Sequence, residues 1–391
     1  NLKGFWLKKA EGEKMQKKIL FILFFILFLS FFLTSCLEKK GPVPELIENR
    51  EPIHVFGNSE AGPFYRFIRD YLVDPKLNRV YIWDYLSPEG IDVYDLNGKH
   101  LFSFGKRGPG PTDFLALFNV AVDSSGNLWI NDFNRKTLKA FTKDGEYLRN
   151  VSLPYELQPT SIMKMIFNRY DELYLLAQGS EGQISVWKLD LGKNDQKKLY
   201  EEVRRKRLAL VEFVPDIAID GDSNLFITDS FDYTIHILDR EGKSIKTFSE
   251  KRRKKELIRE EDFNIFDDDF RIVKFPSYRE ILGELSGPSK YLPAIFGINI
   301  DGNLIYVWTS EMDEQRRYII DIYDRNFKKR GQACYFNRIK DNVAKIIDGK
   351  LYIPRIENYD LQITKRLGKF IFFNSPDHLC VYTISKSILG R

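Results

Sequence analysis

The chain has 391 residues, with 60 Lys+Arg against 55 Asp+Glu and a formal net charge of +5. Part of that mild excess is N-terminal, so the rest falls short of the concentrated basic face that a nucleic-acid binder needs, and no nucleic-acid partner is expected. An aromatic content of 14%, with 31 Phe and 20 Tyr, favours strands over helices and points to an all-β protein.

The first element is an export signal. Met15 is the expected start; Lys17 and Lys18 follow it, and then the apolar run Ile19 to Leu33, 15 residues broken only by Ser30. A membrane-spanning helix needs roughly 18–20 such residues, so residues 1–35 read as a signal peptide. Leu33-Thr34-Ser35-Cys36 then resembles the lipobox of bacterial lipoproteins. That resemblance implies cleavage before Cys36, a diacylglycerol on its thiol and a fatty acyl group such as palmitate on the new amino group. Each buried CH₂ would strengthen the anchor by about 0.8 kcal/mol. The membrane is therefore an expected partner through Cys36, and the expected location is the bacterial cell envelope, facing the periplasm or the cell surface. Residues 36–50 read as a lipidated tether, and residues 51–391 as the folded domain.

Internal repeats organise that domain. Val120-Ala-Val-Asp123-Ser-Ser-Gly126-Asn127-Leu-Trp-Ile-Asn-Asp132 is answered by Ile217-Ala-Ile-Asp220-Gly-Asp-Ser-Asn224-Leu-Phe-Ile-Thr-Asp229. Leu72-Val-Asp74-Pro-Lys-Leu-Asn78-Arg-Val-Tyr-Ile-Trp-Asp84 is a third copy, and weaker copies centre on Asn168, Asp301 and Asp348. Successive landmarks lie 49, 45, 52, 81 and 47 residues apart, so the one long interval marks an inserted loop or lid, at about 249–294. Each copy reads as a strand, an Asp-led turn, an aromatic-rich return strand, a third strand such as Thr137–Phe141 or Thr234–Leu238, a second turn at Asn97-Gly98, Asp144-Gly145 or Glu241-Gly242, and a fourth strand. Four antiparallel strands every 45–50 residues or so is the period of a propeller blade. The expected fold is a six-bladed β-propeller of four-stranded antiparallel blades, with Ile53–Phe56 pairing beside Leu379–Tyr382 to complete the last blade. Such closure removes edges that would otherwise invite aggregation.

The copies at residues 119–151 and 216–248 resemble NHL repeats, and residues 51–387 resemble the exported six-bladed propeller lipoproteins of Bacteroidetes-type bacteria. The match departs from the pattern at Asn168, which stands for the repeat's Asp, and in the last two copies, which lack the Asp-x-x-Gly-Asn spacing. The resemblance implies fold and location more than chemistry.

Local catalytic and metal motifs are missing from the sequence. His54, His100, His236 and His378 stand singly, without zinc spacing. Ser185 and Lys188 match Ser-x-x-Lys only formally, because residues three apart on a strand face opposite ways. Asp220-Gly-Asp222-Ser-Asn224 begins like a calcium loop but has Leu225 and Phe231 where that loop needs Gly and Glu. The prolines of Gly105-Lys-Arg-Gly108-Pro-Gly110-Pro111 remove amide donors a phosphate cradle would use. Cys334 and Cys380 read as buried apolar residues, with a bridge between them left open.

In a propeller, the loops from second to third strand and from fourth strand to the next blade share one face. Here they hold Asp84, Lys106, Arg107, Asp132, Asn134, Arg135, Asp229 and Asp232, the candidate ligand-binding residues. The competing reading is that such Asp residues cap loops through nearby amides. The expected function is non-catalytic binding or scaffolding of a protein, peptide or glycan partner by a monomer that requires no cofactor. The alternative is a lactonase-like hydrolase or a lyase whose channel holds a metal such as calcium on scattered Asp, Asn and Glu.

Overall fold

The computed structural model describes residues 45–46, 52–57, 63, 65, 68–84, 90–179, 183–193, 195–203, 215–229, 232–251, 294–314, 317–335, 344–355 and 378–384. The chain divides into two units, residues 1–43 and 44–391, and the described residues all belong to the second. The leader, Cys36 and residues 252–293 of the expected insertion lie outside them.

The strands form six sheets arranged as a six-bladed propeller. Blade 1 comprises Ile68–Asp74, Arg79–Asp84, Ile91–Tyr94 and His100–Phe104; blade 2 comprises Leu117–Val122, Leu128–Asp132, Thr137–Phe141 and Tyr147–Ser152. Blade 3 comprises Ser161–Phe167, Leu173–Gln178, Gln183–Asp190 and Asp195–Val203; blade 4 comprises Ile217–Ile219, Leu225–Thr228, Thr234–Leu238 and Ser244–Ser249. Blade 5 comprises Ile295–Asp301, Leu304–Met312, Tyr318–Asp324 and Lys329–Tyr335. Glu45–Leu46, within the expected tether, adds a short parallel strand opposite Ala333 and Cys334 of blade 5. Blade 6 comprises Lys345–Ile347, Lys350–Arg355 and His378–Thr383, and its fourth strand is His54–Phe56, paired antiparallel as His54↔Val381, Val55↔Cys380 and Phe56↔Leu379.

The landmark acids make the turns. Asp123 Oδ1 accepts from Ser125 N and Asn127 N at 3.0 and 2.8 Å, while Gly126 takes φ +83°. Asp220 does the same for Asp222 N and Asn224 N, with Ser223 at φ +67°. Asn168 keeps the arrangement because its Oδ1 is an equivalent acceptor, for Tyr170 N and Glu172 N. Asp95, Asp239 and Asp324 cap the outer turns likewise. These residues answer to a structural need.

Six apolar cores lie between consecutive blades, and the sixth shows that the ring closes: Phe56, Tyr352, Leu379 and Val381 pack with Ile68, Tyr71, Val80 and Ile82 of blade 1. Cys334 and Cys380 are buried, and Cys380 packs in the apolar core between blades 5 and 6.

Polar contacts join the inner strands. Asn119 Nδ2 donates to Ile162 O at 2.6 Å, and Lys164 Nζ to Asp216 Oδ1 at 2.6 Å. Ile298 N donates to Asp216 Oδ2 at 2.9 Å, Ile346 N to Asn299 Oδ1 at 2.7 Å, and Lys345 Nζ to Asp70 Oδ1 at 2.8 Å. These link blades 2–3, 3–4, 4–5, 5–6 and 6–1. The inner strands of blades 1, 2, 3 and 5 also carry a bulge, at Arg69, Phe118, Met163 and Phe296.

Candidate functional site on the loop face

Five of the sequence-selected residues meet in one sector, at the loop end of blade 2. The second strand ends at Asp132, and a single 3-10 turn, Phe133–Arg135, carries the chain toward the third strand. Opposite it lies the loop Gly105–Ala116, entering blade 2 from blade 1. Gly105 takes φ +69°, and a Cβ there would fall 2.3 Å from the Phe114 ring, so glycine is required.

Three side chains hold this loop. Asp132 is fully buried, and its carboxylate accepts from Leu115 N at 3.2 Å and Ala116 N at 3.1 Å. Arg135 donates from Nη1 to Gly110 O and Asp113 O, both at 3.0 Å, and from Nη2 to Gly108 O at 3.2 Å. Lys139 has no exposed surface; its ammonium donates to Pro111 O at 3.0 Å and to Asp113 O, and stands 3.7 Å from Asp132. Burial, and then the Arg135 charge, pull the Lys139 ammonium below its ordinary range, while Asp132 acts against both. Asp113 folds back to accept from Gly110 N at 2.9 Å.

This network assigns Asp132 and Arg135 to loop support. Lys106, Arg107 and Asn134 are exposed on the same sector. The remaining candidates sit elsewhere: Asp84 is buried at the end of blade 1's second strand, and Asp229 and Asp232 belong to blade 4. Asp229 N donates to Thr234 O at 2.8 Å, and Asp229 Oδ1 accepts from Asp232 N at 3.5 Å.

Sequence reasoning missed Lys139 and Asp113. Lys139 occupies the third-strand position that His236 fills in blade 4, where the side chain is half-buried, so the repeat presents it as outward-facing. The neighbouring loop covers it. Glu172 was also missed. It accepts from Arg240 Nε and Nη2 at 2.6 and 2.7 Å, Asn168 Nδ2 at 2.7 Å and Lys188 Nζ at 3.3 Å. Burial alone would raise its pKa; the hydrogen bonds from Arg240 and Asn168 and the Lys188 charge outweigh burial and hold it at about 2. Ser185 does not approach Lys188's ammonium: its hydroxyl accepts from Trp187 Nε1 at 2.9 Å, while Lys188 reaches Glu172. Among the described residues no three His, Cys, Asp or Glu side chains gather as a metal ion would need. None of the described helices is long and apolar enough to cross a membrane.

Comparison with known proteins bears on the fold. No family model and no curated protein matches the chain. The fold is similar to those of solved structures from Bacteroides. A predicted exported protein from Bacteroides fragilis NCTC 9343 matches with TM-score 0.50 and 14% identity over 88% of this chain and 98% of its own. A member of the DUF4221 family from Bacteroides vulgatus ATCC 8482 matches with TM-score 0.53 and 12% identity over 84% of this chain and 95% of its own. At such identities the likeness extends to the fold alone.

Proposed function

We propose that this chain is a lipid-anchored, NHL-like binding propeller of the bacterial cell envelope, which recognises a protein, peptide or glycan partner through its loop face. One observation carries the reading. The acidic side chains that could have served chemistry on the loop face of blade 2 are consumed in building it: Asp132 and Asp113 secure residues 105–116, leaving Lys106, Arg107 and Asn134 on a stiff platform. Rigid presentation favours binding, because less freedom is lost when the partner docks. The leader and the Leu33-Thr34-Ser35-Cys36 segment support the anchor at Cys36.

The test is recovery of the full chain from envelope membranes, with and without crosslinking. Label from radioactive palmitate should reach the protein and vanish in Cys36→Ala. A crosslinked partner should be lost when Lys106 and Arg107 are both changed to Gln. Stoichiometric calcium or zinc in the purified protein, together with turnover of a lactone or a glycan, would instead establish the enzyme alternative.

A further inference from the structure

Among the described residues, five of the six joints between inner strands are made by hydrogen bonds, and the joint between blades 1 and 2 differs. Arg69, the bulged residue of blade 1, holds its guanidinium 4.2 Å from the centre of the Phe118 ring, itself at the bulge of blade 2. Phe118 stacks on Phe133, with centroids 5.3 Å apart and planes at 29°. Lys136 places its ammonium 3.9 Å over the Phe133 ring. All four side chains are half-buried.

This arrangement is held in place. Bulges re-aim side chains and recur beside functional sites. Lys136 adopts φ +53°, a left-handed conformation that a lysine keeps only where its surroundings impose it. Burial lowers the Lys136 pKa, so the uncompensated charge is costly there. Among the described residues neither Arg69 nor Lys136 meets a carboxylate; their contacts are the two rings. Acids close by are engaged elsewhere, Asp70 with Lys345, Asp132 with Lys139 and Arg135, and Asp113 with the Gly110 amide.

We propose that Arg69, Phe118, Phe133 and Lys136 form a binding site for an acidic saccharide at the loop-face end of the inner strands of blades 1 and 2; this deepens, and rests on, the binding reading above. A ring carboxylate or sulfate supplies a counter-charge that no described residue gives the two cations, and the apolar C–H face of the sugar meets the ring edges. An extended peptide fits less well, because the adjacent loop has committed its main chain. Phe114 N donates to Lys106 O at 2.8 Å and Gly108 N to Phe114 O at 3.1 Å, while Arg135 and Lys139 occupy the carbonyls of Gly108, Gly110, Pro111 and Asp113.

The experiment is calorimetric titration of the full chain in detergent with oligogalacturonate, with a sulfated chondroitin oligosaccharide, with a neutral cello-oligosaccharide and with oligoglutamate. The two acidic saccharides separate carboxylate from sulfate recognition, and binding of either supports the site. Arg69→Gln and Lys136→Gly should each weaken it roughly tenfold or more, the scale of one charged hydrogen bond. Lys136→Gly also relieves the left-handed strain, so its loss of binding cannot be blamed on unfolding, and Lys243→Gln on a distant turn should bind normally. Equal affinity for the neutral sugar, equal or tighter binding of oligoglutamate, or no binding of either acidic saccharide would overturn the proposal. An envelope partner captured by the unaltered protein, when that protein binds neither acidic saccharide, would overturn the site and spare the binding reading. Breakdown of a bound acidic saccharide would keep the site and overturn the non-catalytic reading.

Discussion

The hydroxyl of Tyr71 donates to the main-chain carbonyl of Tyr352 at 2.8 Å, across 281 residues of sequence. The bond crosses the joint where the ring closes, beside the core that Phe56 and Leu379 build with blade 1. Tyr71→Phe should therefore lower stability by about 1–2 kcal/mol, the cost of an orphaned buried carbonyl. Removing residues 1–57 should do far more, since it strips the fourth strand from blade 6 and bares an edge. Urea midpoints measure the first effect, and loss of soluble folded protein the second. A product starting at Leu37 retains His54–Phe56 and should fold.

The loop sector of blade 2 should depend on Lys139 out of proportion to its size. Lys139→Ala leaves Asp132 without its nearest buried cation and frees the carbonyls of Pro111 and Asp113. A loss of about 3–5 kcal/mol is expected, the range for breaking a buried charge network. Hydrogen exchange should accelerate at Leu115 and Ala116 before it changes in other blades.

Glu172 makes stability depend on pH. Its folded pKa of about 2 lies below the ordinary 4.5, so the folded state favours the ionised form. Its contribution is complete above about pH 4.5 and fades as pH falls toward 2. Partial exposure of Arg240 limits the effect to about 1–2 kcal/mol. Urea midpoints at pH 7 and pH 3 should converge in Glu172→Gln, which is the less stable protein at pH 7.

Equivalent turn positions should respond oppositely to substitution. Ser223 is held at φ +67° with its hydroxyl buried and unpaired. Ser223→Gly should stabilise by about 1 kcal/mol, by relieving both. Gly126 is its counterpart at φ +83°, and a Cβ there would come within 2.9 Å of Leu77. Gly126→Ala should cost about 1–2 kcal/mol. Thermal unfolding of the two variants reads the signs directly.

The period of the repeats carried the architecture. The third strands Thr137–Phe141 and Thr234–Leu238 run where the alternation places them, and the closing pair His54–Phe56 with His378–Thr383 follows from an unpaired fourth strand at one end and a missing one at the other. Two-residue alternation and Asp-led turns are local, so they can be read from neighbours in sequence. The candidate site was legible only in outline. Loop position identified Lys106, Arg107, Asp132, Asn134 and Arg135 as neighbours, yet not which of them reach solvent.

Only the packed ring decided that, because burial depends on what a distant segment covers. Asp132 and Arg135 became supports once Gly108–Ala116 folded over them, and Lys139 lost its water to a loop some 25 residues before it. The joint between Arg69 and Phe118 likewise exists only where two inner strands meet. The sequence by itself determined six blades and the order of their strands through local periodicity; the tertiary structure alone decided which charges are buried and which remain on the loop face, since electrostatics and desolvation act through space.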